Sequence, residues 1–93
     1  MSNRTLAKFY RVRGRVQGVG FRYFVEHSAQ ALGLRGWVRN ADDGSVEVYA
    51  AGTESQLSDL AGLLRQGPRW AEVRGVEESA AAVENQSGFS VRQ

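Results

Sequence analysis

Ninety-three residues with 42% apolar side chains and a net charge of +2 describe one globular domain, 1–93, with a modest core, and disorder is not the default state. The absence of cysteine excludes disulfide staples, thiolate metal sites and cysteine nucleophiles. Residues 1–40 hold eight cations against one acid, net +7, whereas residues 41–93 hold four against nine, net −5, so anions are drawn to the first half.

The start, Met1-Ser2-Asn3-Arg4, leads into no apolar run of secretory length, and Ser2 lacks the glycine that myristoylation needs. No stretch is long enough to cross a bilayer. A cytoplasmic protein without a membrane partner is expected. The first strand runs from Ala7 to Gly14, where Tyr10 and Val12 alternate with Phe9, Arg11 and Arg13, giving an apolar and a cationic side. A turn from Arg15 to Gly20 follows. Phe21, Phe24, Val25, Ser28 and Leu32 then fall on one helical face, with Gly33 placed as the stop.

Leu34 to Asn40 reads as a second strand with Leu34, Gly36 and Val38 facing one way. Ala41-Asp42-Asp43-Gly44 turns the chain into a third strand, Ser45 to Ala51, with Val46 and Val48 inward. Thr53 and Gln56 can form a capping box for a second helix whose buried stripe is Leu57, Leu60, Ala61 and Leu64. Gly67-Pro68 ends that helix. Ala71 to Glu78 reads as a fourth strand, Phe89-Ser90-Val91 as a short last one, and Ala80 to Gln86 is ambiguous. The order strand, helix, strand, strand, helix, strand predicts an α+β fold of the ferredoxin-like split βαβ kind (βαββαβ), an antiparallel sheet with two helices on one face.

In that topology the first two long strands run parallel with the third between them, so the turn after Gly14 and residue Asn40 meet at one sheet edge. Arg22 sits in the first helical turn beyond the loop. Glycines at 14, 18 and 20 let backbone amides approach an anion, and a helix N-terminus adds free donors. A tight strand-to-helix turn with no ligand, and surface arginines that only meet solvent, would explain the same residues. A Walker loop fails because the matching second glycine and lysine are missing, and a Rossmann fingerprint fails because Tyr23 stands three positions after Gly20.

Gly14-Arg15-Val16-Gln17-Gly18-Val19-Gly20-Phe21-Arg22 resembles the phosphate-binding signature of the acylphosphatase family. Gly36-Trp37-Val38-Arg39-Asn40 with Asp43-Gly44-Ser45-Val46 resembles that family's second signature, and Gly67-Pro68, Ala71, Val73 and the ending Phe89-Ser90-Val91-Arg92 are also similar. The resemblance implies hydrolysis of acyl phosphates, carboxylic-phosphoric anhydrides, to a carboxylate and inorganic phosphate. It implies Arg22 as phosphate ligand, Asn40 as the residue that orients water, and the backbone of Arg15, Val16, Gln17, Gly18, Val19 and Gly20 as the phosphate cradle.

The chemistry asks for little more. A carboxylate leaves well, its conjugate acid having a pKa of about 4–5, so no general acid is required, and phosphoryl transfer depends mainly on positioning and charge. The reading calls for no metal and no cofactor. A phosphate oxygen is expected to take the water's proton. Inorganic phosphate, the product, is expected to inhibit, and a monomer is expected.

Other residues have plainer explanations. His27 is a lone histidine outside the helical stripe, Asp42 and Asp43 suit a hairpin turn, Ser45 lacks a base, and Trp37 and Tyr49 read as packing residues. The rival class is an RNA-binding module using Phe9, Arg11, Arg13, Arg35, Trp37, Arg39 and Tyr49 on the face opposite the helices. Against it, the third strand does not match the RNP1 pattern, and Glu47 would repel phosphate.

Overall fold

The computed structural model describes residues 4–93; Met1, Ser2 and Asn3, and with them the reading of the start, lie outside it. The elements are β1 (Leu6–Arg15), α1 (Phe21–Ala31), β2 (Arg35–Asn40), β3 (Val46–Gly52), α2 (Glu54–Gln66), β4 (Glu72–Ala81) and β5 (Phe89–Val91). One sheet has the order β4-β1-β3-β2-β5. Both helices pack on the face formed by Tyr10, Val12, Val38, Val46, Val48 and Ala50, where the main core lies. Among the described residues no helix is long and apolar enough to cross a membrane.

Alternation sets the two faces of β1. Tyr10 and Val12 are fully buried toward the helices, while Phe9 and Arg11 stay half-buried on the other side. β3 departs from the expected one-sided pattern. It is the central strand, and every residue from Val46 to Ala51 is buried, Glu47 and Tyr49 included. A smaller cluster of Ala7, Tyr49 and Ala51, with Trp37 and Ala81 against it, covers that second face.

The helices carry their own stop and start signals. Gly33 adopts φ +78°, and the bonds Gly33 N–H to Gln30 O (3.1 Å) and Leu34 N–H to Ala29 O (2.9 Å) close α1 as a Schellman motif. In α1 the stripe is Phe21, Val25 and Ala29; Ala29, at the i+4 step from Val25, is buried where Ser28 was expected. The capping box forms as the sequence suggested. Gln56 N–H donates to Thr53 Oγ1 (3.2 Å) and Thr53 N–H to Gln56 Oε1 (2.8 Å). Gln56 Nε2 also reaches Leu32 O at 2.8 Å, joining the start of α2 to the end of α1.

The sheet is mixed, which corrects the expected antiparallel one. β5 pairs parallel with β2, Gly36 opposite Phe89 and Val38 opposite Val91. The physical reason is the return path: β4 ends at the sheet end where β2 begins, so segment 82–88 crosses there from one margin to the other and β5 sets out in β2's direction. Tyr49 holds that crossing, its hydroxyl donating to Ala82 O (2.8 Å) and accepting from Glu84 N–H (2.7 Å). At the opposite margin β4 extends to Ala81, further than expected, and the register with β1 slips between Arg13 and Gly14, a bulge of the kind that bends and twists a strand.

Candidate active site

Between β1 and α1 the chain bends from Gln17 to Gly20. Gly18 and Gly20 have φ of +75° and +80°, and a Cβ on either would meet no atom within 4 Å. Crowding therefore does not select glycine here. The left-handed backbone does, and the space left open gives a ligand access to the amides. Gly20 is also the N-cap of α1; it offers no side-chain cap, and the first turn contains no acid. The bond from Phe24 N–H to Gly20 O (3.0 Å) opens the helical ladder, so the amides of Phe21, Arg22 and Tyr23 have no intrahelical acceptor. Donors and the positive end of the helix dipole point the same way.

In front of these amides lies an open cleft of about 290 Å³, lined by Val16, Gly18, Gly20 and Arg22 from the loop and helix, and by Asn40. Strand order brings Arg22 and Asn40 together: β1 and β2 flank β3 and end at the same edge, as their shared register partner Val46 shows. Arg22 is half-buried, and among the described residues no carboxylate pairs with it. Asn40 Oδ1 is buried with no hydrogen-bond partner among the described residues, an uncompensated acceptor that typically costs about 1–3 kcal/mol. The side-chain clusters described contain no group of three or more His, Cys, Asp or Glu able to hold a metal ion.

Of the other loop side chains, Arg15, Gln17 and Val19 do not line the cleft. Arg15 closes β1, exposed and opposite Glu72; Val16 is buried in the core as well as lining the cleft; Val19 packs against the core. The Gln17 side chain makes a tie of its own, separate from the backbone role expected of it. Its Nε2 donates to Ala41 O (2.8 Å) and Ser45 O (2.9 Å), tying the loop to the turn after Asn40. Nothing local in the sequence signals bonds 24 and 28 residues away. Val91 and Gln93 also line the cleft, because parallel β5 finishes beside the end of β2.

Below the turn, charges are locked together. Ser45 donates to Asp43 Oδ1 through its N–H (3.0 Å) and its hydroxyl (2.6 Å). These bonds, with the nearby Arg11 and Arg13, hold the Asp43 carboxyl below its usual value. Arg11 donates to Ser45 Oγ (3.0 Å) and Glu47 Oε2 (2.7 Å), and Arg39 to Glu47 Oε1 (2.7 Å). Burial pushes Glu47 up, but the hydrogen bonds and charges of Arg39 and Arg11 outweigh it and leave its carboxyl lowered. His27 is exposed and stacks on Tyr23.

On the face opposite the helices the aromatic rings are engaged within the chain. Trp37 lies against Tyr49, with ring centroids 6.0 Å apart, and the guanidinium groups of Arg92 and Arg39 sit 4.8 and 5.5 Å from its ring centroid. Arg11 and Arg39 are both paired with the one carboxylate of Glu47. No observation favours the RNA-binding alternative.

A model of the family described as acylphosphatase matches residues 8–91. The chain is 56% identical over 86 residues to an acylphosphatase of Solibacter usitatus, covering 92% of this chain and 90% of that one. It is 51% identical over 88 residues to an acylphosphatase of Pasteurella multocida, covering 94% and 98%. The structure of an acylphosphatase from Coxiella burnetii superposes with a TM-score of 0.92 at 39% identity, over 97% of this chain and 94% of that one. That of the Bacillus subtilis acylphosphatase also gives 0.92, at 38% identity over 95% and 99%. A match this long in sequence, on a fold this close, means that the chain belongs to the acylphosphatase family.

Proposed function

We propose that this acyl phosphate hydrolase works by clamping the phosphoryl group and delivering a water to it, with Arg22 and the amides of loop 15–20 as the clamp and Asn40 as the water's acceptor. One observation carries the reading: a carboxylate-free arginine, an open glycine backbone at a helix N-terminus and an unpartnered amide oxygen all belong to one cleft. The phosphoryl oxygens accept from Arg22 and the loop amides, which match the charge of a transition state whose negative charge spreads over three oxygens. A swing of the Asn40 amide about its last torsion, which is broad for this side chain, turns Oδ1 toward the water. The water attacks phosphorus, the bond to the bridging oxygen breaks with its electron pair on the carboxylate, and a phosphate oxygen takes the proton. Among the described residues the cleft lining contains no His, Asp or Glu side chain to serve as a base.

Every side chain invoked comes from one copy of the chain, so a monomer is sufficient, and inorganic phosphate should compete for the same clamp. The test is hydrolysis of benzoyl phosphate in EDTA by the natural chain, Asn40→Ala and Arg22→Ala. Removing one oriented polar group costs about 10²–10³ in rate. Asn40→Ala should lose kcat by that factor while inorganic phosphate still inhibits, and Arg22→Ala should lose both turnover and phosphate inhibition. An Asn40→Ala enzyme with kcat intact would remove the water-positioning role, and turnover abolished by EDTA would overturn the metal-free reading.

A further inference from the structure

A second depression lies beside the catalytic cleft. Val19, Phe24, Pro68 and Trp70, with Tyr23 and His27, wall an open and mainly apolar groove of about 420 Å³. Tyr23 and His27 stack with centroids 5.9 Å apart, and the Arg69 guanidinium lies 5.4 Å from the Trp70 ring centroid. Tyr23 is 68% and Trp70 69% exposed, the two most exposed large apolar side chains among the described residues. Two aromatic rings left in solvent around one groove contribute little to the core, and clustered exposure of this kind marks a binding surface. Gly20 and Tyr23 line both the groove and the cleft. The two share a wall.

Strand order decides what the groove faces. Glu72 and Val73 of β4 pair with Arg15 and Gly14 at the end of β1, so Pro68 to Trp70, which lead into β4, flank the phosphate loop on that side. Asn40 ends β2, on the other side of β1 and beyond β3. In-line displacement at phosphorus puts the attacking and leaving oxygens on opposite sides. With water arriving from the Asn40 side, the carboxylate departs toward the β4 side, where the groove begins.

We propose that this groove is the acyl subsite, and that Trp70 and Tyr23 make the enzyme select acyl phosphates with aromatic acyl groups. The proposal rests on the phosphate-cleft reading given above. The acyl group undergoes no chemistry in the groove; it leaves as a carboxylate carrying the electron pair of the broken bond to phosphorus. Aromatic contact with the Trp70 ring strengthens binding of an aryl substrate and does nothing for a methyl group.

The experiment compares kcat/KM for benzoyl phosphate and acetyl phosphate in the natural chain, Trp70→Ala and Trp70→Phe. Trp70 is exposed and outside the phosphate cleft, so folding and inhibition by inorganic phosphate should be unchanged. Trp70→Ala should lose about five- to tenfold in kcat/KM on benzoyl phosphate, mostly in KM, with less than a twofold loss on acetyl phosphate. Trp70→Phe should regain most of it. Equal losses on both substrates, or none on benzoyl phosphate, would overturn the subsite. A natural chain inactive on both substrates would overturn the phosphate-cleft reading itself, and the subsite with it.

Discussion

Replacing Gln17 by alanine tests how the two halves of the cleft are held in register. The side chain makes two bonds, at 2.8 Å to Ala41 O and 2.9 Å to Ser45 O, and both hydrogens of its amide nitrogen are used. Neither carbonyl is orphaned by the change, because Ala41 O still accepts from Gly44 N–H (3.3 Å) and Ser45 O from Ala41 N–H (2.8 Å). The cost therefore lies at the low end for two hydrogen bonds, about 1–2 kcal/mol. For a domain this small, that lowers Tm by about 4–15 °C. The functional effect should exceed what stability explains. Gln17 links the clamp to the turn that follows Asn40, so losing it lets the water-bearing residue drift relative to the phosphate. A kcat loss of about tenfold is expected at a temperature where the variant is fully folded, with the inhibition constant for phosphate changing less than threefold, since misplacement by an ångström is costly in rate. Thermal unfolding followed by circular dichroism and benzoyl phosphate kinetics give both numbers. A variant that melts several degrees lower yet keeps its kcat would show that the tie is structural only, and that Asn40 is held by the β2–β3 hairpin alone.

Two predictions concern pH. The Glu47 carboxyl is lowered in the folded chain, so the folded state binds its proton less readily than the unfolded one. Its contribution is complete above the unfolded value of about 4.3 and is lost as pH falls through the folded value. Glu47→Gln should be about 1–2 kcal/mol less stable at pH 7, and the gap in Tm should close in acid; a gap of constant size down to pH 3 would contradict the lowering. Tyr10 behaves in the opposite sense, its phenol pushed up to about 12 by burial and by Glu78. The folded chain then keeps a proton that the unfolded chain has released, and stability falls as pH rises above about 10. Tyr10→Phe loses the bond to Leu57 O (3.2 Å), about 1 kcal/mol at neutral pH, but should fall less steeply than the natural chain in urea titrations between pH 10 and 11.5. Parallel slopes would refute the burial argument.

Much of this architecture was legible where the signal is local. Thr53 and Gln56 announce a capping box by identity and spacing alone, and the stop at Gly33 follows from its tolerance of positive φ. Arg22 and Asn40 could be brought together before any coordinates because strand order is a consequence of element order. The misses share a different cause. β5 is three residues long, too short for alternation to carry information, and its parallel direction depends on where segment 82–88 crosses. Glu47 reads as a surface residue by type, yet the central strand has two covered faces and two arginines arrive from neighbouring strands. The side-chain bonds of Gln17 carry no local signal either, since no spacing rule links a side chain to carbonyls two dozen residues away.

The two margins of the sheet differ in how they meet another molecule. β5 exposes only three residues, shielded by their brevity. β4 offers ten, a long row of backbone donors and acceptors on which a neighbouring chain could build. That row carries Glu72, Arg74, Glu77 and Glu78, all exposed, and the slip beside Gly14 twists it away from flatness. Glu72, Glu77 and Glu78, with Arg74, thus put charge along the longer margin, the kind of placement that disfavours edge-to-edge pairing with another chain.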